Sequence, residues 1–303
     1  MVKTLIAAIL IALSPALACA AQQPESPSAA VVVNTVENMH RGPSAETDVV
    51  SQALLGDNVK VLKTEKNPAG EDWRRIATPD TYEGWVPASS LRFLGPGAKP
   101  YAASGKIFVV SSLLANTYRE PDVTKHKPVK VAPIGTVLEV VGEKGERWLE
   151  VILPCNTRAW VQKGDGDVRE APWSWPRRPV EDMIALSKRF IGLPYTWGGV
   201  SPLGLDCSGF AQLVYKMNGI PILRDAGIQM TASGLVEVPK GQEKPGDLVF
   251  FGRALDRISH VGMMIEDGNF INATTSGAPI VQIDRLAEER WMRIYQGARR
   301  PKK

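Results

Sequence analysis

The sequence predicts two small all-β units followed by an α+β domain, and three observations lead to that reading. The first is a degenerate internal repeat between Val31 and Gly166. Arg41 and Pro43 answer to Arg119 and Pro121, Gly56 to Gly135, Trp73 to Trp148, Pro79 to Pro154, and Trp85-Val86 to Trp160-Val161. The second is local pattern. Each copy reads as short alternating strands, such as Val59-Lys60-Val61-Leu62 and Val137-Leu138-Glu139-Val140-Val141, punctuated by Gly and Pro as in a small barrel. The third is a change of period after Val180, where helical spacing comes first and strand-like runs afterwards, the order of an α+β domain. With 303 residues, 44% of them hydrophobic and 22% charged, the chain is long enough for two or three domains with cores of their own.

Taken in order, residues 1–20 have the make-up of an export signal. Lys3 supplies the positive start, Leu5 to Leu13 an apolar run too short to span a bilayer, and Ala18-Cys19-Ala20 a small-residue cleavage site. The mature chain is therefore expected outside the cytoplasm, in the periplasm or cell envelope, with no transmembrane anchor. Lipid attachment through Cys19 is the competing reading, disfavoured because Ala16 stands where a larger aliphatic residue is preferred. Residues 21–30, rich in Pro, Ser, Gln and Ala, read as an unstructured leader. The first β unit is expected over 31–95 and the second over 104–170, joined by the linker Pro96-Gly97-Ala98-Lys99-Pro100; Pro172 to Pro179 form the second linker.

The third domain, over 180–300, opens with Val180 to Ile191, whose Met183, Ile184, Leu186, Phe190 and Ile191 give helical spacing. A second helix follows Ser208-Gly209 and runs from Phe210 to Met217. Gly246 to Phe251 reads as a strand buried on both faces, Ile258 to Ile265 as its neighbour, Glu266-Asp267-Gly268-Asn269 as a hairpin turn and Phe270 to Ala273 as the returning strand.

Charge narrows the function classes. A net charge of +4 suits an anionic polymer surface, but no stretch clusters Lys and Arg with interleaved aromatics, so nucleic acid is not an expected partner. No zinc spacing of Cys and His occurs, and Gly198-Gly199 lacks the lysine of a phosphate loop, so neither metal nor cofactor is implied. The chain has three cysteines; if Cys19 leaves with the signal, Cys155 and Cys207 remain, and both are expected to be free.

Cys207 is the chemically informative one. It sits in Asp206-Cys207-Ser208-Gly209-Phe210 at the start of a predicted helix, whose positive end favours a thiolate. Of the three histidines, His40 and His126 lie in the β units, which leaves His260, in Ser259-His260-Val261-Gly262, as its base through a thiolate–imidazolium pair. Such a pair needs a third polar group to accept the other imidazole N–H, and Asn272 is the candidate. A two-residue Asp267-Gly268 turn would put Asn272 on the sheet face opposite His260, so a bulge or an odd-length loop is required.

These motifs carry a resemblance. With Leu193-Pro194-Tyr195-Thr196-Trp197-Gly198-Gly199 and Pro245-Gly246-Asp247-Leu248-Val249-Phe250-Phe251, residues 180–300 resemble the NlpC-type cell-wall endopeptidases, a papain-like cysteine peptidase family. The upstream repeat resembles bacterial SH3-like domains, and the whole chain the YkfC-like subgroup. That likeness implies hydrolysis of the γ-D-glutamyl to diamino acid bond (meso-diaminopimelate or L-Lys) of murein peptides, and peptidoglycan or its peptides as partner, with the protein a monomer. A murein amidase or acyltransferase using the same thiol, or a wall-binding adaptor without catalysis, are the alternatives.

The family often has histidine where Asn272 stands. The resemblance implies Tyr195 as a donor to the oxyanion beside the Cys207 backbone N–H. It implies Asp57 and Tyr82, from the first β unit, together with Asp206 and Ser208, as the site for the free amine of an N-terminal L-alanine. Arg224 and Asp225 fall in the family's pocket segment, with Arg224 expected to hold a substrate carboxylate through its planar fork. Trp197, in the approach loop, is a further expected substrate contact.

Overall fold

The computed structural model describes residues 28–302. The export signal over residues 1–20 and the Cys19 alternative fall outside the described residues. Among the described residues no helix is long and apolar enough to cross a membrane.

The first unit is a seven-stranded antiparallel sheet: β1 (Ser28–Val32), β2 (Val36–His40), β3 (Val49–Leu54), β4 (Asn58–Lys66), β5 (Asp72–Ala77), β6 (Glu83–Pro87) and β7 (Leu91–Phe93), in the order β3-β2-β6-β5-β4-β1-β7. Its start corrects the leader expected over 21–30. Ala30 is fully buried and pairs with Val59 on β4 and Phe93 on β7, so the chain is already strand from Ser28.

The second unit comprises β8 (Gly105–Val110), β9 (Leu114–Tyr118), β10 (Lys130–Pro133), β11 (Val137–Lys144), β12 (Trp148–Ile152), β13 (Arg158–Gln162) and β14 (Gly166–Ala171), in the order β10-β9-β13-β12-β11-β8-β14. Shifted by seven strands, the two orders are the same. The repeat residues occupy matching places: Trp73 and Trp148 are buried on β5 and β12, while Trp85-Val86 and Trp160-Val161 lie on β6 and β13. Matching turns also share their bonds, with Gly56 N–H donating to the Val32 carbonyl at 3.0 Å and Gly135 N–H to the Val110 carbonyl at 2.9 Å.

The third domain begins with α1 (Val180–Lys188), a short ribbon of β15 (Val200–Ser201) and β16 (Gly204–Leu205), then α2 (Cys207–Met217) and α3 (Ala226–Ala232). Six antiparallel strands follow: β17 (Val236–Val238), β18 (Leu248–Gly252), β19 (Ile258–Met264), β20 (Asn269–Thr274), β21 (Ile280–Arg285) and, after α4 (Glu289–Met292), β22 (Tyr295–Arg300). Their order is β17-β22-β18-β19-β20-β21. Every residue of β18 is buried, because its two faces serve two cores. Leu248 and Phe250 pack with Phe210, Val214 and Tyr215 of α2, whereas Val249 and Phe251 pack with Phe270 and Trp291 on the other side.

β3, the edge strand of the first unit, is covered by the third domain. The Val49 carbonyl accepts from Trp197 Nε1 at 3.0 Å, the Gln52 side chain from Val200 N–H at 3.2 Å, and the Ser51 hydroxyl from Arg224 Nε at 3.0 Å. From β5–β6, Asp80 accepts from Gln212 on α2 at 2.8 Å. The first unit is thereby fixed against the helix that carries Cys207.

Candidate active site

Cys207 is the first residue of α2, and Asp206 caps that helix. Asp206 has extended backbone angles, and its carboxylate accepts the Gly209 N–H at 2.7 Å. Glycine is required at 209: a Cβ there would lie 2.1 Å from the Gly199 carbonyl oxygen, so the approach loop and the helix start touch through backbone. Cys207 packs in the same core as Val261 of β19. Val261 directly follows His260, so α2 and the strand that carries the imidazole meet in one core.

His260 Nε2 bonds Asn272 Oδ1 at 2.8 Å. The parity problem posed by the hairpin is solved by a three-residue loop, Glu266–Gly268, closed by Ile265 N–H to the Asn269 carbonyl at 2.9 Å. Asp267 and Gly268 both adopt positive φ, 60° and 71°, as the tight connection demands. Pairs Met264–Phe270 and Met263–Ile271 then set Asn272 across from Gly262, diagonal to His260 on the same face. Gly262 leaves the room: a Cβ there would stand 2.4 Å from the Phe270 ring and 3.2 Å from the Asn272 Cβ. His260 also stacks on Trp291, with ring centres 5.2 Å apart and planes at 17°.

Burial dominates the electrostatics of the pair. It pushes the Cys207 thiol up to about 12, with the Asp206 charge adding to the effect and the Val261 N–H opposing it. It pushes the His260 imidazole down to about 4 against the Asn272 hydrogen bond. Burial thus opposes the ionised form of each group taken alone.

A cleft of about 710 Å³ opens over the sulfur. Tyr195, Trp197, Asp206, Cys207, Ser208 and Asp225 line it from the third domain, and Tyr82 from the first unit. The Tyr195 hydroxyl is held in its protonated form, chiefly by burial and then by the thiol and Asp206, so it is a hydrogen-bond donor there. Tyr82 is pushed up to about 12 by burial and by Asp225, to which its hydroxyl donates at 3.2 Å. Burial likewise raises Asp225. Trp197 is 70% exposed and forms part of the rim.

Two expected substrate contacts are corrected. Asp57 does not line the cleft; it sits in the turn between β3 and β4, accepts the Leu54 N–H at 2.8 Å and faces Lys216 near the far end of α2. Thr136 holds the equivalent place in the repeat, which identifies the position as turn architecture. Arg224 is 3% exposed and its fork is already filled. It donates to Asp206 at 2.9 and 2.5 Å, to Ser208 Oγ at 2.8 Å and to Ser51 Oγ at 3.0 Å. That leaves a single N–H without a partner rather than the two-donor edge a substrate carboxylate would need, and it pairs off the Asp206 charge.

Sequence reasoning missed three residues. Asp48, between β2 and β3, is the acidic group that the first unit brings to the cleft, and no periodicity marks it. Trp291 lies on a four-residue helix far from the motifs. Asp284 accepts from the Asn272 amide at 2.9 Å, and the polar pair Gln282 and Asp284 on one face of β21 was its signal.

Residues 192–300 match the NlpC/P60 family, and residues 39–91 match the bacterial dipeptidyl-peptidase Sh3 domain. A γ-D-glutamyl-L-lysine dipeptidyl-peptidase of Bacillus cereus is 34% identical over 260 residues, covering 82% of this chain and 74% of its own length. The enzyme of the same name from Bacillus subtilis is 39% identical over 249 residues, 79% of this chain and 77% of its own. The crystal structure of an NlpC/P60 family protein from Bacillus cereus superposes with a TM-score of 0.78 at 28% identity, over 90% of this chain and 99% of that one. The chain belongs to the NlpC/P60 family, with a bacterial SH3 domain ahead of its papain-like domain.

Proposed function

We propose that this protein is a cysteine endopeptidase that hydrolyses the bond from the γ-carboxyl of D-glutamate to a diamino acid in murein stem peptides carrying a free N-terminal L-alanine. What supports the reading is Cys207 at the start of α2, lining a cleft walled by the first β unit, together with the bonded His260–Asn272 pair on β19 and β20, the strands against which α2 packs. The two Bacillus relatives, named for γ-D-glutamyl-L-lysine dipeptidyl-peptidase activity, support the bond and the dipeptide product.

In this mechanism the Cys207 proton passes to His260 Nδ1 as sulfur attacks the γ-carbonyl carbon, whose π pair moves onto oxygen. The Cys207 N–H and the Tyr195 hydroxyl stabilise that oxyanion. Collapse breaks the C–N bond, and His260 gives its proton to the leaving amine. Water then attacks the thioester, His260 takes its proton, and the thiol is restored. Asn272 accepts the Nε2–H throughout. For the substrate ammonium, Asp225 with Tyr82 is the acidic partner, with Asp48 at the rim shared with Arg41, since Asp206 is bound to Arg224. Ser208 and Trp197 complete the walls.

We assign the second unit to the same SH3-like class as the first on its identical strand order, and action outside the cytoplasm on the nature of the polymer. Mass spectrometry of products from L-Ala-γ-D-Glu-meso-diaminopimelate, free and N-acetylated, with Cys207→Ala as blank, tests the function. Release of L-Ala-D-Glu from the free peptide alone is expected. Equal cleavage of both removes the amine site, and no Cys207-dependent cleavage removes the peptidase.

A further inference from the structure

Behind His260 the hydrogen bonds do not stop at Asn272. Asn272 is fully buried, and its Nδ2 donates to Asp284 Oδ2 at 2.9 Å. Asp284, itself 6% exposed, is held from the other side by Arg290, whose Nη2 donates to Oδ1 at 2.6 Å, and by Gln282 Nε2 at 3.1 and 3.0 Å. Four side chains from β19, β20, β21 and α4 form one line: His260, Asn272, Asp284, Arg290.

The chemistry of the line has a direction. A carboxylate held by a guanidinium is an acceptor only, so the face of Asn272 turned to Asp284 must be its NH₂. The amide oxygen is then the atom facing His260, at 2.8 Å. An oxygen acceptor there requires Nε2 to carry the imidazole hydrogen, which leaves the Nδ1 lone pair bare. A flipped amide would present NH₂ to the ring and shift the hydrogen to Nδ1, the nitrogen left for the thiol. Asparagine by itself has no preference between the two orientations.

We infer that Asp284 is a positioning residue that fixes the orientation of the Asn272 amide and, through it, the tautomer of His260. Arg290 pairs with the carboxylate at 2.6 Å, and it lies over the Trp291 ring, at 5.3 Å, on whose indole His260 is stacked. The strand β21 and helix α4 therefore belong to the catalytic apparatus without touching the cleft. The inference rests on His260 acting as the base of the proposed peptidase.

The test uses Asp284→Asn, which keeps shape. Arg290 and Gln282 are both donors and will take the single carbonyl oxygen of the new amide, leaving its NH₂ against Asn272. That leaves the Gln282 carbonyl, 3.4 Å from Nδ2, as the one acceptor still holding the Asn272 amide, so the amide reverses in whole or in part and the imidazole hydrogen moves to Nδ1. Nitrogen NMR of the full described chain labelled only at its three histidines reads the tautomer directly. In the unaltered protein His260 is expected to show a protonated Nε2 and a bare Nδ1; in Asp284→Asn the assignment inverts or becomes mixed. kcat is expected to fall roughly ten- to a hundredfold with KM little changed, the scale for outer partners that orient a histidine. In an Asn272→Ala background, Asp284→Asn is expected to change kcat less than about twofold, because the relay is already cut. An unchanged Nε2–H tautomer in Asp284→Asn overturns the inference, as does an equal loss of kcat with and without Asn272. The tautomer is measured in resting protein, so it stands or falls separately from the peptidase reading, which Cys207→Ala tests.

Discussion

Arg224→Met is the substitution that best separates a structural guanidinium from a substrate-binding one. Methionine retains most of the length and apolar volume of the stem, so the change removes charge and donors with little cavity. The donors lost are those to Asp206, Ser208 and Ser51, all buried residues. Asp206 is 7% exposed, and without Arg224 its charge keeps only the Gly198 and Gly209 N–H groups and the Ser208 hydroxyl. Removing one partner of a buried ion pair costs about 3–5 kcal/mol; the backbone donors that remain place this case near the lower end, about 3 kcal/mol. The α-helices of the described chain all lie in the papain-like domain, so urea unfolding followed by circular dichroism at the helix band reports that domain. With a slope of about 2–3 kcal/mol per molar urea, the midpoint is expected to fall by about 1 M. Turnover falls as well, because Asp206 caps the helix that holds Cys207. A midpoint shift below about 0.3 M by the same slope, together with a large rise in KM, would refute the reasoning and return Arg224 to the substrate.

Gly209→Ala forces a Cβ to within 2.1 Å of the Gly199 oxygen, and overpacking of this kind costs about 1–3 kcal/mol or more; a lowered melting temperature and lost turnover are expected. Tyr82→Phe removes the hydroxyl that meets Asp225 at 3.2 Å, and is expected to raise KM for the free peptide while leaving the melting temperature within a few degrees. The His260 imidazole, lowered from 6.5 to about 4 in the fold, contributes stability that is complete above pH 6.5 and is lost as pH falls through about 4. For this partly buried ring the loss is on the order of 2 kcal/mol, and it should be absent from the acid titration of His260→Gln. Asp57→Asn is expected to leave kcat/KM for the free peptide unchanged, since Asp57 lies outside the cleft; a tenfold loss would restore it to the amine site.

Much of the fold was legible because its signals are local. The repeat from Arg41 to Val161 announced two like units, and the matched strand orders follow from it. Period 3.6 in α1 and α2, the wholly apolar β18 and the Asp267-Gly268 turn can each be read from neighbours a few residues apart. The same holds for Cys207 at a helix start and for the requirement that the hairpin loop be odd.

What the tertiary structure decided is which charge meets which. Nothing within Asp206-Cys207-Ser208-Gly209 reveals that Asp206 is filled by Arg224, or that Asp57 turns toward Lys216 while Asp48 reaches the cleft. Nor does the strand Phe270 to Ala273 by itself disclose that the amide of Asn272 is oriented by Asp284 from the next strand. Sequence determined the elements, because backbone propensity and apolar period act over a few residues. Partners of buried polar groups depend on contacts between elements far apart in the chain, and only the packed fold brings those groups into one dry space where each must be satisfied.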